Sequence, residues 1–169
     1  MDQSLDKKIE VKDKLISLYN KHKFKFYLVI FILLLAVAIF LFLDENKKKN
    51  NKITSEKYVQ AGLLIASGKA GEAQKLYEDI ILSKNKFYSI LSLNVILEKN
   101  LVEDKSKVIE YFKILESLDY PEESEELISL KKALYFLKQS DIETANNLFK
   151  KLIDKDSKFK SIVQEIISE

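Results

Sequence analysis

Glu122, Glu123, Glu125 and Glu126 place four carboxylates within five positions, the densest acidic run in the chain. Such a run can hold a cation or divide the roles of general acid and base. It comes directly after Pro121, and proline is favoured in the first turn of a helix, where carboxylates are stabilised by the macrodipole. A helix start therefore accounts for these acids without any metal. His22 is the only histidine, stands between Lys21 and Lys23, has no candidate partner nearby and reads as an interface residue. Cysteine is absent, which excludes disulfides, thiol catalysis and cysteine metal sites and leaves the compartment unread from redox chemistry. No glycine-rich phosphate loop, His-x-x-x-His pair or serine nucleophile elbow occurs. The expectation is a protein that is not an enzyme, with no catalytic, metal or cofactor-binding residues and no cofactor.

The elements that organise the chain are apolar. Residues 26–43 (FYLVIFILLLAVAIFLFL) are eighteen consecutive positions without a charge, amide, proline or glycine. As a helix they span roughly 27 Å, close to the hydrocarbon thickness of a bilayer. Core helices of soluble domains keep a polar stripe, and this one is apolar on every side, so a single transmembrane helix is expected. Lys21, Lys23 and Lys25 precede it, and Asp44, Glu45, Lys47, Lys48 and Lys49 come after. Phe24, Phe26 and Tyr27 suit an interfacial aromatic belt. The residues after the run offer no small-x-small cleavage site, so an uncleaved anchor is expected in place of a signal peptide.

All 28 basic residues are lysine. Residues 1–57 hold twelve lysines against seven acids, +5, and residues 58–169 hold sixteen against nineteen, −3. The basic part flanks the apolar run, which suits attraction to anionic membrane lipid. The rest has no basic stripe and no recognition motif, which argues against nucleic acid as a partner. Orientation is not read from charge: five lysines lie within about seventeen residues of the run on each side, a tie under the positive-inside rule.

Taken in order, residues 1–25 form a basic tail in which Leu5, Ile9, Ile16 and Tyr19 fall at near-helical spacing. That pattern fits a short amphipathic helix from about Leu5 to Tyr19 lying on head groups, with a solvated and partly disordered tail as the alternative. Residues 44–54 read as a polar linker, since NKKKNNK contains no apolar side chain. Thr54 or Ser55 then caps the helix that carries Tyr58, and residues 55–169 form one helical domain.

Within that domain, residues 61–81 align without a gap on residues 133–153. Ala61, Ala73, Leu76 and Ile81 recur as Ala133, Ala145, Leu148 and Ile153, while Leu64, Tyr77 and Ile80 meet Phe136, Phe149 and Leu152. The offset of 72 is two units of 36, and a middle unit places Val108, Phe112 and Leu115 where Ala73, Tyr77 and Ile80 stand. A small residue in a first helix (Ala61, Ala133) and another twelve positions on (Ala73, Ala145) let two antiparallel helices approach. The aromatic four residues later (Tyr77, Phe112, Phe149) fills the gap to the next hairpin. Gly68 and Ser140 sit where the chain reverses.

These offsets resemble the tetratricopeptide repeat over roughly residues 54–156. No Trp opens a unit, Ala61 and Ala133 replace the usual first-helix glycine, and the closing proline appears only as Pro121. The expected fold is all-α: a transmembrane helix, then a tetratricopeptide-like stack of three hairpins at about 55–82, 86–118 and 122–152. Phe159, Ile162, Val163, Ile166 and Ile167 form the apolar face of a C-terminal capping helix. First helices line the concave face in that architecture. This makes Tyr58, Tyr88 and Tyr135 candidates for a partner surface, with core packing as the alternative. Phe159, Ile162 and Ile166 join them if the third hairpin leaves the cap uncovered.

The layout of basic tail, single anchor, polar linker and tetratricopeptide-like domain resembles the YfgM-like ancillary subunits of the bacterial Sec translocon, best through the anchor and LLIASGKAGEAQKLYEDII at residues 63–81. The resemblance implies a single-pass inner-membrane protein with a periplasmic domain. Its implied partners are the Sec channel, periplasmic chaperones and exported clients, whose folding it assists. Two other readings stay open, a cytosol-facing tetratricopeptide receptor and a structural scaffold for envelope assembly.

Overall fold

The computed structural model describes residues 3–168, with side chains at 12, 16, 17, 19, 21–25 and 27–168. The side chains of Leu5, Ile9 and Phe26, which entered the tail and anchor expectations, lie outside the described residues. Seven helices and no strand occur among the described residues: α1 (Gln3–Ala66), α2 (Ala70–Leu82), α3 (Lys86–Glu98), α4 (Lys105–Glu116), α5 (Glu122–Lys138), α6 (Ile142–Asp154) and α7 (Lys160–Ser168). The chain divides into two compact units, Met1–Asn50 and Asn51–Glu169.

The first unit is helical from Gln3 onward and contains a stretch of α1 long and apolar enough to cross a membrane. Residues 27–43 are exposed around the whole circumference of the helix, so none of the described residues covers an all-round apolar surface of the kind that a membrane span buries in lipid. Tyr19 and Tyr27, two turns apart, share a hydroxyl hydrogen bond of 2.7 Å.

The stretch 44–54 is helical and part of α1, where the sequence suggests a linker capped at Thr54 or Ser55. The unit boundary does fall inside it, after Asn50. Its conformation reflects propagation, because the apolar run already supplies the costly nucleus and neither glycine nor proline interrupts the residues after it. Lysine and glutamate are good helix formers, and Asp44 pairs with Lys48 one turn on at 2.8 Å. Thr54 is therefore no cap; it lies within the helix and is 7% exposed.

In the second unit, short connections join α1 through α7, and most reverse through one left-handed residue. Gly68, Lys84, Asn100, Ser140 and Asp156 have φ of 74°, 57°, 48°, 61° and 54°. The two reversals anticipated from the repeat close identically. Lys69 N–H donates to the Leu64 carbonyl at 2.9 Å, and Asp141 N–H to the Phe136 carbonyl at 3.0 Å, each capping orphaned helix carbonyls. A Cβ at Gly68 would meet no atom within 4 Å, so Gly68→Ala carries only the backbone penalty. It is expected to cost about 1 kcal/mol, and Ser140→Gly to gain a similar or smaller amount. Thermal melts of the full chain in detergent, followed by circular dichroism, check both signs.

Pro121 is the residue before α5, with ψ of 146°, one position ahead of the first-turn place expected for it. Glu122, Glu123 and Glu125 occupy the first turn of α5, the setting in which the macrodipole favours them. Glu123 also pairs with Lys158 at 2.8 Å, and Glu126, largely buried, accepts the Lys158 backbone N–H at 3.3 Å. The acidic run thus fastens the start of α5 to the turn between α6 and α7.

Two apolar clusters hold these helices. The first gathers Ala61, Ala73, Tyr77, Ile80, Leu93, Val108, Phe112 and Leu115 with their neighbours from α1 to α4, and Ile128 and Tyr135 bring α5 onto it. The second gathers Leu130, Ala133, Ala145, Phe149, Leu152 and Val163 from α5, α6 and α7. All eight residues expected to pack the repeats (Ala61, Ala73, Tyr77, Val108, Phe112, Ala133, Ala145 and Phe149) are buried. Helices α2 and α3 pack closely, as do α5 and α6, whereas α4 meets α2, α3 and α5 more sparingly. The α2–α3 approach uses small residues, with the Ser89 hydroxyl donating to the Ile80 carbonyl at 3.1 Å.

Candidate functional site

Where α4 packs sparingly, the domain has a groove of about 580 Å³. Its walls come from the C-terminal half of α3, the α3–α4 connection, the start of α4 and the last two turns of α5. Val108 borders it. At the corresponding places in the other units stand Ala73 and Ala145, and the bulkier residue falls where α4 packs more sparingly on α3 than α6 does on α5. The volume lies within the range of small-ligand and peptide sites.

The lining divides by chemistry. Ile96, Leu97, Val102, Val108, Leu134 and Tyr135 supply apolar surface, and Asn94, Asn100 and Gln139 supply amides. Charges come from Glu98, Glu103, Lys131 and Lys138. On α5 the four contributors Lys131, Leu134, Tyr135 and Lys138 are spaced i, i+3, i+4, i+7, which puts them on one helical face. Lys138 donates to the Asn100 side-chain oxygen at 2.8 Å, tying the end of α5 to the α3–α4 connection. Tyr135 is half-buried, its ring 5.9 Å from both Phe112 and Phe136, and burial, then the charge of Asp104, pushes its hydroxyl pKa up.

Of the six side chains anticipated for a partner surface, Tyr135 alone lines this groove. Tyr58 packs its ring 5.6 Å from Tyr77 and 5.7 Å from Tyr88, which places Tyr58 and Tyr88 against the first cluster. Phe159 and Ile166 pack against the second cluster while Ile162 is exposed. His22 is exposed on α1. Among the described residues no three histidine, aspartate or glutamate side chains form a group suited to a metal ion.

The chain matches no protein-family model, no curated protein and no solved structure. The groove's own chemistry is thus what bears on function.

Lys131, like Leu134 and Lys138 beside it, is a groove side chain that the repeat pattern does not single out. It is half-buried, and desolvation pushes its ammonium pKa below the usual lysine value. Lys131→Met is expected to raise stability modestly, because it removes a partly desolvated charge. The pH dependence has a fixed sign. A lowered folded-state pKa means the penalty is fully present below that pKa and fades as pH rises toward the unfolded value of 10.5. Melting of both proteins at neutral pH and near pH 10.5 should show the gap closing.

Proposed function

We propose that this chain is a membrane-anchored protein-interaction module, with residues 51–168 arranged as a tetratricopeptide-like stack that α7 caps. Its assignment is an ancillary subunit of the Sec translocon, with the domain in the periplasm, helping exported chains to fold or pass to chaperones. The supporting observation is a groove walled by α3 and α5, which the proposed stack makes the first helices of its second and third hairpins, in a chain whose α1 is long and apolar enough to span a bilayer. In a tetratricopeptide stack, first helices line the concave, partner-binding face. The groove has apolar walls and amide groups suited to a polypeptide.

The test places a photo-crosslinking residue at Leu134, 38% exposed in the groove wall, in the full chain in native bacterial membranes. Capture of the Sec channel and of exported chains is the expected result. One stable non-Sec partner and no exported chain selects the envelope-scaffold reading. A reporter joined after Glu169 is expected to be active outside the cytoplasm; activity on the cytoplasmic side selects the receptor reading.

A further inference from the structure

Lys131 and Lys132 are adjacent in sequence and differ in their surroundings. Lys132 bridges to both carboxylate oxygens of Glu116, at 2.7 and 2.9 Å. Lys131 has no hydrogen bond or ion pair among the described residues and lines the groove. The acids around the groove do not compensate it: Glu98 and Glu103 are exposed, and Glu98 pairs with Lys99 at 3.0 Å. The other groove cation, Lys138, is held by Asn100. The half-buried charge of this site is therefore positive and unmatched, in a groove that Leu97, Val102 and Leu134 also line.

Partly desolvated ammonium groups gain most from an anionic partner that restores the interactions lost with water. We propose that the groove takes a polypeptide segment in which an aspartate or glutamate side chain stands next to leucine-like side chains, the carboxylate seating on Lys131. This rests on the interaction reading above and specifies the chemistry of the partner. The amides of Asn94 and Gln139 each offer donor and acceptor, the pair a peptide backbone needs and a fatty-acid chain does not. Lysine contributes a point charge in this role, so the geometry selects for acid over amide without demanding a bidentate fit.

The experiment uses the full chain in detergent micelles and two dye-labelled peptides, one alternating leucine with aspartate and glutamate, the other carrying the matching amides. At low ionic strength the acidic peptide is expected to bind roughly tenfold more tightly, the size of one charge-assisted hydrogen bond. Lys131→Met should erase that difference and leave the amide peptide within about twofold; Lys131→Arg should keep it. Circular dichroism melts show that each variant is folded. Equal affinities for the two peptides, or a preference that survives Lys131→Met, would overturn the proposal. Binding of dodecanoate with neither peptide bound overturns it in favour of an amphiphile. Capture of exported chains at Leu134 alongside equal peptide affinities removes the acid preference and leaves the interaction reading standing, whereas loss of both removes the two together.

Discussion

Phe112→Ala is expected to destabilise the second unit by about 3–5 kcal/mol, the usual loss for a phenyl ring deleted from a packed core. Phe112 is fully buried in α4, in the first cluster with Ala73, Tyr77, Leu93 and Leu115. Helix α4 meets its neighbours sparingly, so the ring supplies a large part of what holds it. The ring also supports Tyr135, 5.9 Å away in the groove wall. Phe149→Ala removes the same number of atoms from the second cluster, to which Tyr135 does not belong, and so serves as the control. Both losses can be read from urea unfolding of the full chain in detergent, followed by tyrosine fluorescence, since tryptophan is absent. Similar stability losses with peptide binding impaired only by Phe112→Ala are expected. A loss below about 1 kcal/mol for Phe112→Ala would contradict the packing described.

Ala145→Leu is expected to cost about 1–3 kcal/mol by the opposite mechanism. Ala145 and Ala133 are both fully buried, at the close pairing of α5 with α6. Added methylene groups there must push α6 away or force side chains out of their preferred rotamers, because packed interiors hold few voids of that size. Val108, at the corresponding place in the middle unit, shows that a larger residue is accommodated where helices pack more sparingly. Val108→Ala should accordingly be tolerated better than Ala145→Leu. A stability gain on Ala145→Leu would mean that the α5–α6 contact is looser than its burial indicates.

Most of the helical framework is legible in the sequence because it rests on local spacing. The recurrence of Ala61, Ala73 and Tyr77 as Ala133, Ala145 and Phe149 marks buried faces, and Gly68 and Ser140 are left-handed residues at the two reversals the repeat anticipates. Residues 44–54 look like a linker because hydrophobic periodicity is silent in a run of Lys and Asn; helix propagation from a neighbouring segment leaves no such signature. The groove is illegible for a different reason. It arises where α4 fails to pack closely, a property of three elements distant in sequence, and Lys131 is indistinguishable from Lys132 until Glu116 is seen beside the latter. One signal is present: Lys131, Leu134, Tyr135 and Lys138 share a face of α5 that mixes apolar and charged side chains.

The α3–α4 connection, residues 99–104, is the longest among the described residues of the second unit and forms one wall of the groove. Segments with few buried backbone partners open locally at lower free energy than the helices they join. Amide protons there should exchange with solvent ahead of those in α5 and α6. A ligand that grips this wall binds the closed form alone, so its occupancy slows that exchange by a factor set by concentration over Kd. The wall of the groove is thereby a reporter of its own filling, readable residue by residue at 101 to 104.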